Sequence, residues 1–425
     1  MCAAANWIEN FFRKMIFQSM SKNVLWNMLG LIFRALIQAG YLIVLSRNMG
    51  AEGYGAFAGL VSLAILLSPL SGWGVAYVLI KRLSNKQNSA KALLASAIKQ
   101  ILISGFVLLV LMSISAHSFF SIDIRSIILL GVSELILVPI SLIAVNFALF
   151  FERGSIVALA MCLVPVFRLF IVIAFLFIES NLDIRIISEI HFYGSMFGAL
   201  ISLCVVYAMV GTPDFKFKYD WSLISEGNDY VAGSLVSSMY TEADKIIILQ
   251  MLGAAALGPY AVAFRVVSVF LLPITALASV VLPRLFALTD LKKILTLIKG
   301  TMIFSVAYGL LAAVVLKYFA PMTPLIFGAE FFNSIDIILL LFLWPLIYAI
   351  KIVSATALTG IGSQRIRVYI ESAGLFLMII LNIFVLPLIG ITGSALSLLI
   401  IEMLIAIFCG ISFFYQIKHK GIKPV

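Results

Sequence analysis

The chain has 425 residues, of which 63% are hydrophobic and only 11% are charged, and its mean hydropathy is +1.16. Soluble domains carry about 25% charged residues, so the composition excludes the soluble class and predicts an integral membrane protein. A net charge of +10 would suggest nucleic acid as the partner of a soluble protein. Here the basic residues concentrate in alternate loops and at the chain ends, so no nucleic-acid partner is predicted.

Apolar stretches of about 20 residues, each long enough to cross the hydrocarbon layer, recur along the chain and predict an all-α fold with twelve transmembrane helices. The first six spans are predicted at about 24–46, 54–80, 93–120, 127–150, 156–178 and 187–210. The second six are predicted at about 230–252, 258–282, 294–318, 337–358, 368–389 and 395–415.

The predicted spans divide the chain into two six-helix bundles. Residues 212–229 form the longest loop and are predicted to be a cytoplasmic linker between an N-terminal bundle, residues 1–211, and a C-terminal bundle, residues 230–425. At the start of the first bundle, apolar side chains recur at helical spacing within residues 1–22, beside Arg13 and Lys14. This pattern is compatible with an amphipathic leader on the membrane surface.

The distribution of Lys and Arg among the loops predicts the orientation in the membrane. Short cytoplasmic loops carry an excess of these residues. With both termini inside, eighteen basic residues fall in cytoplasmic segments and only four fall outside, namely Arg47, Arg125, Arg185 and Lys317. We therefore expect a multi-pass protein of the cytoplasmic membrane with both termini in the cytoplasm.

An internal sequence repeat predicts that the two bundles are copies of one unit. The segment LSRNMGAEGYGAF at residues 45–57 resembles LQMLGAAALGPYAVAF at residues 249–264, and Gly253 follows Gly50 by 203 residues. Because each copy has an even number of spans, both have the same orientation, which predicts parallel repeats around a central cavity with a binding site between them. The alternative is that Gly/Ala-rich tight turns recur by chance in polytopic proteins.

Two helices at equivalent positions of the two copies carry polar stripes. In span one Asn27, Arg34, Gln38 and Tyr41 share a face, because they are spaced by seven, four and three residues. In span seven a similar stripe includes the following residues: Tyr230, Ser234, Ser237, Thr241, Asp244 and Lys245. These stripes predict that spans one and seven line the central cavity.

Charged residues inside predicted spans are costly and normally face a cavity or pair with each other. Arg34 and Arg168 lie near mid-membrane without a carboxylate one helical turn away. Each either forms an ion pair with another helix or faces an anionic substrate, whose phosphate oxygens suit a guanidinium group. For the remaining charges the pairing alternative stays open: Glu242 and Lys245 could neutralise each other, and Glu134 and Glu402 could pair with basic neighbours.

The sequence predicts neither a metal site nor a cofactor. The four cysteines, Cys2, Cys162, Cys204 and Cys409, have no metal-ligand spacing. The three histidines, His117, His191 and His419, lie far apart near predicted span ends and form no HExxH or similar pattern. With no nucleophile and base pair recognisable either, we do not expect an enzyme.

Four motifs, in order along nearly the whole chain, resemble those of a known transporter family. The turn LSRNMGAEGYGAF looks like the signature turn of the polysaccharide-flippase branch of the multidrug/oligosaccharidyl-lipid/polysaccharide (MOP) exporter superfamily. The segment at residues 241–265, TEADKIIILQMLGAAALGPYAVAFR, resembles the acidic-Lys-Leu motif of that branch. LIFGAEFFNSI at residues 325–335 resembles its Phe-Gly loop, and LNIFVLPLIGITGSAL at residues 381–396 resembles its Asn, Pro and Gly-x-x-Gly element.

The resemblance implies a flippase that moves an undecaprenyl-pyrophosphate-linked O-antigen or related repeat unit between leaflets of a bacterial inner membrane. Transport would proceed by alternating access, coupled to a proton or sodium gradient, with the isoprenoid tail remaining in membrane lipid. A polysaccharide polymerase and a chain-length regulator are further partners of such a protein. The candidate substrate contacts are Arg34 and Arg265 first, Arg168 and Lys351 second, and Arg47 across the cavity. Asp244 and Glu242 are the candidates for ion coupling.

Two alternative functions remain at this stage. A multidrug or small-cation antiporter of the same superfamily shares the twelve spans but is expected to have an acidic, aromatic cavity with fewer buried arginines. A membrane glycan polymerase or ligase generally needs a large periplasmic loop for its catalytic residues, and no predicted outer loop exceeds about 20 residues. Both features favour the flippase.

Overall fold

The structure is a computed structural model that describes residues 22–84, 89–120, 122–179, 182–216, 220–288 and 290–420. The described part of the first half contains α1 (Lys22–Leu67), α2 (Val75–Ser84), α3 (Ala90–Phe119), α4 (Ile124–Val132), α5 (Val138–Phe150), α6 (Gly154–Leu176) and α7 (Ile184–Val210). The described part of the second half contains α8 (Ser222–Leu252), α9 (Ala254–Val269), α10 (Leu272–Ala287), α11 (Leu291–Phe319), α12 (Thr323–Phe327), α13 (Ser334–Leu341), α14 (Trp344–Gly360), α15 (Gln364–Ile389) and α16 (Ile391–Lys420). The leader predicted at residues 1–22 lies outside this part, apart from its last residue.

The helices account for the predicted twelve spans. Within the described ranges, eight helical stretches are long and apolar enough to cross a membrane, and two bent pairs, α9 with α10 and α13 with α14, bring the number to ten. One of the eight combines α1 and α2 over 60 residues, which is about three times the length that a single span needs. It contains two spans, because Gly50 interrupts α1 with a φ of 69°. Helix α8 is too polar to be included in that number, but with 31 residues it is long enough to cross a membrane, and it stands at the position predicted for the seventh span.

Some boundaries differ from the predictions. Residues 222–229, predicted as part of the linker, are the first two turns of α8, which begins at Ser222 instead of Tyr230. The second predicted span is broken, because a 3₁₀ turn, Ser68–Leu70, and an irregular stretch separate α1 from α2. Pro69 opens that turn and Gly72 and Gly74 have positive φ, which explains why the helix does not continue.

The two bundles meet at their first hairpins in a reciprocal contact. Gly50 and Gly253 both have positive φ, 69° and 83°, and each ends the first helix of its bundle. A Cβ atom on Gly55 would lie 1.9 Å from the carbonyl oxygen of Ala254, and a Cβ on Gly258 would lie 2.1 Å from the carbonyl oxygen of Ala51. The symmetry of this contact supports the two-copy architecture.

We call this side of the molecule the Gly50 end and the opposite side, where α7 ends and α8 begins, the linker end. At the Gly50 end the Glu330 carboxylate accepts a hydrogen bond from the backbone N–H of Ala51 at 2.8 Å. The apolar core beneath it draws on both bundles and includes Leu45 and Leu60 of α1 with Tyr260 of α9, all fully buried. The halves are therefore sealed against each other at the Gly50 end.

Candidate functional site

Two arginines, one from each bundle, form no ion pair among the described residues. Arg34 of α1 and Arg265 of α9 are both partly buried, and within the described ranges neither side chain makes an ion pair or a hydrogen bond. The two guanidinium groups are close enough to interact electrostatically. The Glu134 carboxylate also lies within electrostatic range of Arg34, but it is bonded to Arg168. One carboxylate thus stands against three guanidinium groups, so these four groups together are net positive.

Arg168, the third candidate arginine, is held in a polar network instead. Its Nη2 lies 2.7 Å from Glu134 Oε1, and its guanidinium also donates to the Ser195 hydroxyl. The same carboxylate oxygen is 2.8 Å from His191 Nε2, and His191 Nδ1 is 3.0 Å from the Tyr41 hydroxyl. We call Tyr41, His191, Glu134, Arg168 and Ser195 the first-bundle network. Of the two alternatives that the sequence left open for Arg168, an ion pair or contact with an anionic substrate, the structure contains the ion pair.

His191 is a member of this network that the sequence analysis passed over. The span was predicted to start at Ile187, which puts His191 at a span end, whereas α7 begins at Ile184 and carries the ring two turns inside. A signal was present, because His191 and Ser195 are four residues apart on one helix face. Gly194 beside them lets α7 approach the backbone of Arg168 closely.

The two candidate ion-coupling residues share one lysine. Lys245 Nζ lies 3.4 Å from Asp244 Oδ1 and 3.5 Å from Glu242 Oε2. Ser62 of α1 donates to Glu242 at 2.7 Å, and the Tyr260 hydroxyl donates to Asp244. When all three charged groups are ionised, this buried cluster carries one net negative charge.

Lys351 and Glu402 form a buried pair inside the second bundle. The ammonium group of Lys351 lies 3.0 Å from Oε1 and 2.9 Å from Oε2 of Glu402. The rings of Tyr240 and Tyr348 flank it, with centroids 4.8 Å and 4.7 Å from the nitrogen. The charge of Lys351 is thus compensated on all sides by groups of its own bundle.

Replacing one member of the Lys351 and Glu402 pair should lower the stability of the protein more than replacing both. We expect Lys351→Met to destabilise the protein by about 3–5 kcal/mol, because the Glu402 carboxylate is left buried and unpaired. The double variant Lys351→Met with Glu402→Leu should lose much less, since no charge remains. Thermal unfolding of the purified proteins in one detergent measures both. Equal losses in the single and double variants would show that packing, and not the unpaired charge, dominates.

Arg47 lies apart from the central arginines. Its side chain is exposed at the Gly50 end, beside the turn at Gly328. The structure therefore brings Arg34 and Arg265 together between the bundles, holds Arg168 at the edge of the same region, and separates Lys351 and Arg47 from it.

At the linker end a second polar contact joins the bundles. Arg82 of α2 is almost completely buried, and its guanidinium lies 2.6 Å from Asp220 and 2.7 Å from Glu226 at the start of α8. Hydrogen bonds from Ser222 and Arg82 lower the pKa of Asp220 to about 2, and the bond from Arg82 also lowers the pKa of Glu226. Both acids are therefore ionised at physiological pH, and the contact ties α2 to α8.

No group of three or more His, Cys, Asp or Glu side chains in the described ranges is arranged to hold a metal ion. The polar groups between the bundles are suited to binding and charge compensation. They comprise the cationic side chains of Arg34 and Arg265, the first-bundle network, and the buried cluster of Asp244, Glu242 and Lys245.

The fold is similar to those of solved membrane transporters. An inward-facing multidrug resistance MATE family transporter of the MOP superfamily aligns with a TM-score of 0.74 and 14% identity, over 97% of this chain and 98% of that chain. An outward-facing MATE family transporter of the MOP superfamily gives a TM-score of 0.65 and 15% identity over 93% and 94%. A MOP superfamily transporter from Pyrococcus furiosus, described as having a binding pocket of reversed polarity, also gives 0.65 and 15% over 93% and 94%.

The fold, with its twelve spans in two copies, is that of the MOP-type membrane transporters. The sequence matches the profile of the family described as polysaccharide biosynthesis protein over residues 20–289, which is well over half of the chain. The chain therefore belongs to the polysaccharide biosynthesis protein family, and the resemblance noted in its motifs is confirmed. A search of curated protein sequences gives no match.

Proposed function

We propose that the protein is a flippase that translocates undecaprenyl-pyrophosphate-linked O-antigen or related repeat units from the cytoplasmic to the periplasmic leaflet of a bacterial inner membrane. The observation that carries the proposal is the pair Arg34 and Arg265, which interact electrostatically from the two bundles and form no ion pair among the described residues, while Glu134, the carboxylate within range of Arg34, is already bonded to Arg168. A pyrophosphate would neutralise both, and each guanidinium can donate two parallel hydrogen bonds to its oxygens.

The surroundings of Arg34 suit a substrate with a lipid tail. Next to it on α1, Leu31, Ile32, Phe33 and Leu36 have exposed side chains. Opposite, α10 packs mainly against α11 and α14 of its own bundle. An isoprenoid tail would stay in membrane lipid beside this half of α1 while the pyrophosphate and sugars enter between the bundles.

The contacts at the Gly50 end support an alternating-access cycle in which this end would have to open for the substrate to leave. The glycine contact seals the Gly50 end, and the TM-score is higher for the inward-facing than for the outward-facing MATE family transporter. The Lys and Arg distribution supports a cytoplasmic location for the linker end and both termini. The substrate would then bind from the cytoplasm and leave at the Gly50 end, where a polymerase and a chain-length regulator would act on it.

Ion coupling is assigned to the cluster of Asp244, Glu242 and Lys245. Its net negative charge suits binding of a proton or a sodium ion. Because Glu242 accepts a hydrogen bond from Ser62 of the first bundle, a change of charge in this cluster would alter a contact between the two bundles.

A deletion strain tests the function. Without the protein, single lipid-linked repeat units should accumulate on the cytoplasmic leaflet, and surface polysaccharide should be lost until the gene is restored. Leaflet location is measured by the access of a membrane-impermeant sugar-modifying reagent to intact spheroplasts and to inverted vesicles. Accumulation on the periplasmic leaflet would contradict the flippase and indicate a polymerase.

A further inference from the structure

Helix α8 spans the membrane with an exposed face that carries no large apolar side chain. Over residues 231–249 its exposed positions are Ala232, Gly233, Ser237 and Thr241, and a Cβ on Gly233 would meet no atom within 4 Å. Helix α11, by contrast, exposes large apolar side chains, namely Ile303, Leu310, Leu311 and Val314. Because polar side chains inside a membrane face a water-filled space and not lipid, this face of α8 borders such a space.

The hydroxyl groups on this face of α8 are available to a ligand. Ser96 and Ser188, in the interiors of other helices, each donate to the carbonyl group four residues earlier. Ser234 and Ser237 instead make no hydrogen bond with any described residue. Thr241 donates to carbonyl groups of the preceding turn, and its oxygen remains free to accept. The face therefore offers both donors and acceptors.

Contacts with two other helices of the second bundle extend this polar face. Tyr240, next to Thr241, and Tyr348 of α14 flank the same Lys351 nitrogen, with ring centroids at 4.8 Å and 4.7 Å. The Tyr348 hydroxyl lies 3.2 Å from the hydroxyl of Thr275, an exposed residue of α10. We call the following residues the hydroxyl wall: Ser234, Ser237, Thr241, Thr275 and Tyr348.

The hydroxyl wall offers no unpaired charge. Two lysines touch it. Lys351 lies beside the ring of Tyr348 and is paired with Glu402, and Lys245 donates to the carbonyl group of Thr241 and is shared between two carboxylates. Neither lysine is left to bind an anion, and no carboxylate of these pairs is left to bind a cation. The wall is therefore suited to a neutral, hydroxyl-rich group.

The position of the wall relates it to the two arginines of the proposed pyrophosphate site. Lys245 also lies 3.6 Å from the ring centroid of Phe264, so Thr241 is close to the part of α9 that carries Arg265. Ser237 follows Arg34 by 203 residues, which is the separation of Gly50 and Gly253. At equivalent positions, the first bundle thus has a guanidinium group and the second bundle a hydroxyl group.

We propose that the hydroxyl wall binds the glycan of the lipid-linked substrate, while Arg34 and Arg265 bind its pyrophosphate. This inference rests on the proposed function and divides the substrate between the two bundles. Each sugar hydroxyl both donates and accepts hydrogen bonds, as the Ser and Thr hydroxyls of the wall do. The partly exposed ring of Tyr348 adds an apolar surface against which the C–H face of a sugar can pack.

Binding of two probes to the full chain in phosphatidylcholine nanodiscs tests this division. One probe is an oligosaccharide released by mild acid from the surface polysaccharide of the host strain, and the other is undecaprenyl pyrophosphate. The triple variant Ser237→Ala, Thr241→Val and Tyr348→Phe should bind the oligosaccharide at least about tenfold more weakly, because three hydrogen-bonding groups are lost. Its affinity for undecaprenyl pyrophosphate should change by less than about twofold. Arg34→Ala should show the opposite pattern.

The matched control removes the same three kinds of hydroxyl elsewhere, in the triple variant Ser115→Ala, Thr296→Val and Tyr369→Phe. Ser115 and Thr296 donate to the carbonyl group four residues earlier, and Tyr369 is 73% exposed. Both affinities should stay unchanged in the control. Thermal unfolding of both triple variants verifies that they are folded.

Three results would overturn the proposal. They are an unchanged oligosaccharide affinity in the wall variant, an equal loss of affinity for both probes, and binding of tetraphenylphosphonium in place of the oligosaccharide. The deletion strain tests the proposed function separately. Cytoplasmic accumulation of repeat units without oligosaccharide binding at the wall would contradict this inference alone, whereas binding at the wall without such accumulation would contradict the flippase alone.

Discussion

Replacing Arg34 or Arg265 by Ala is expected to reduce surface polysaccharide about 10- to 100-fold at equal protein levels. Each guanidinium forms no bond in the described structure, so its removal leaves no partner stranded inside the protein. What is lost is a charge-assisted interaction with phosphate, worth about 1.5–3 kcal/mol, and every 1.4 kcal/mol corresponds to a tenfold change. The folding of the variants should stay close to that of the unchanged protein.

The matched control is Arg185→Ala, because the Arg185 side chain is 69% exposed and its nearest carboxylate, Asp123, is 3.9 Å away. Arg34→Lys should recover part of the activity, since Lys keeps the charge but not the bidentate geometry. The double variant should lose less than the sum of the single losses if both arginines bind one anion. Surface polysaccharide is quantified in a complemented deletion strain. Normal export in Arg34→Ala and Arg265→Ala would refute the cationic site.

Much of the architecture could be predicted because span length and hydropathy are local properties of the chain. Twelve spans followed from stretches of about 20 apolar residues. The two-copy arrangement followed from the echo of Gly50 at Gly253, where both turns need a positive φ that glycine adopts readily. The start of α8 at Ser222 could not be predicted in the same way, because the first two turns of the helix are polar and have the composition of a loop.

The partners of the buried charges could not be predicted, because they lie far apart in sequence. Glu134 meets Arg168 from 34 residues away and His191 meets Tyr41 from 150 residues away. A sequence shows that a charge inside a span needs compensation but not which helix supplies it. Arg34 and Arg168 look alike in sequence, and only the packing of α6 against the turn Ser133–Leu137 pairs Arg168 with Glu134 and leaves Arg34 without an ion pair in the described residues.

The close contact between the two hairpins at the Gly50 end requires glycine at two positions. Gly55 and Gly258 stand where a Cβ would come within about 2 Å of a backbone oxygen of the other hairpin. Such contacts cannot be relieved by rotating a side chain, because the opposing atom belongs to the main chain. The close approach exists only while this end is closed, so these glycines bear on the balance between conformations more than on folding.

Gly258→Ala is therefore expected to shift the protein toward a conformation that is open at the Gly50 end. A Cβ placed 2.1 Å from the carbonyl oxygen of Ala51 costs about 1–3 kcal/mol in the closed form only, and this corresponds to about a 5- to 150-fold change in the ratio of conformations. Spin labels at the exposed positions Glu52 and Gln250, one in each hairpin, report the opening in a variant whose four cysteines are replaced by Ala. Export should fall with it, because the cycle cannot return efficiently to the closed state.

The control for this substitution is Gly233→Ala in α8, where a Cβ meets no atom within 4 Å. Both changes replace a helical glycine by alanine, which by itself favours the helix by about 1 kcal/mol, so the difference between them isolates the contact with Ala51. Gly233→Ala should leave the label distances and export unchanged. Adding Gly55→Ala to Gly258→Ala should widen the Gly50 end further, since both reciprocal contacts are then lost. If Gly258→Ala gives the same distances as Gly233→Ala, the hairpin contact does not control closure at this end.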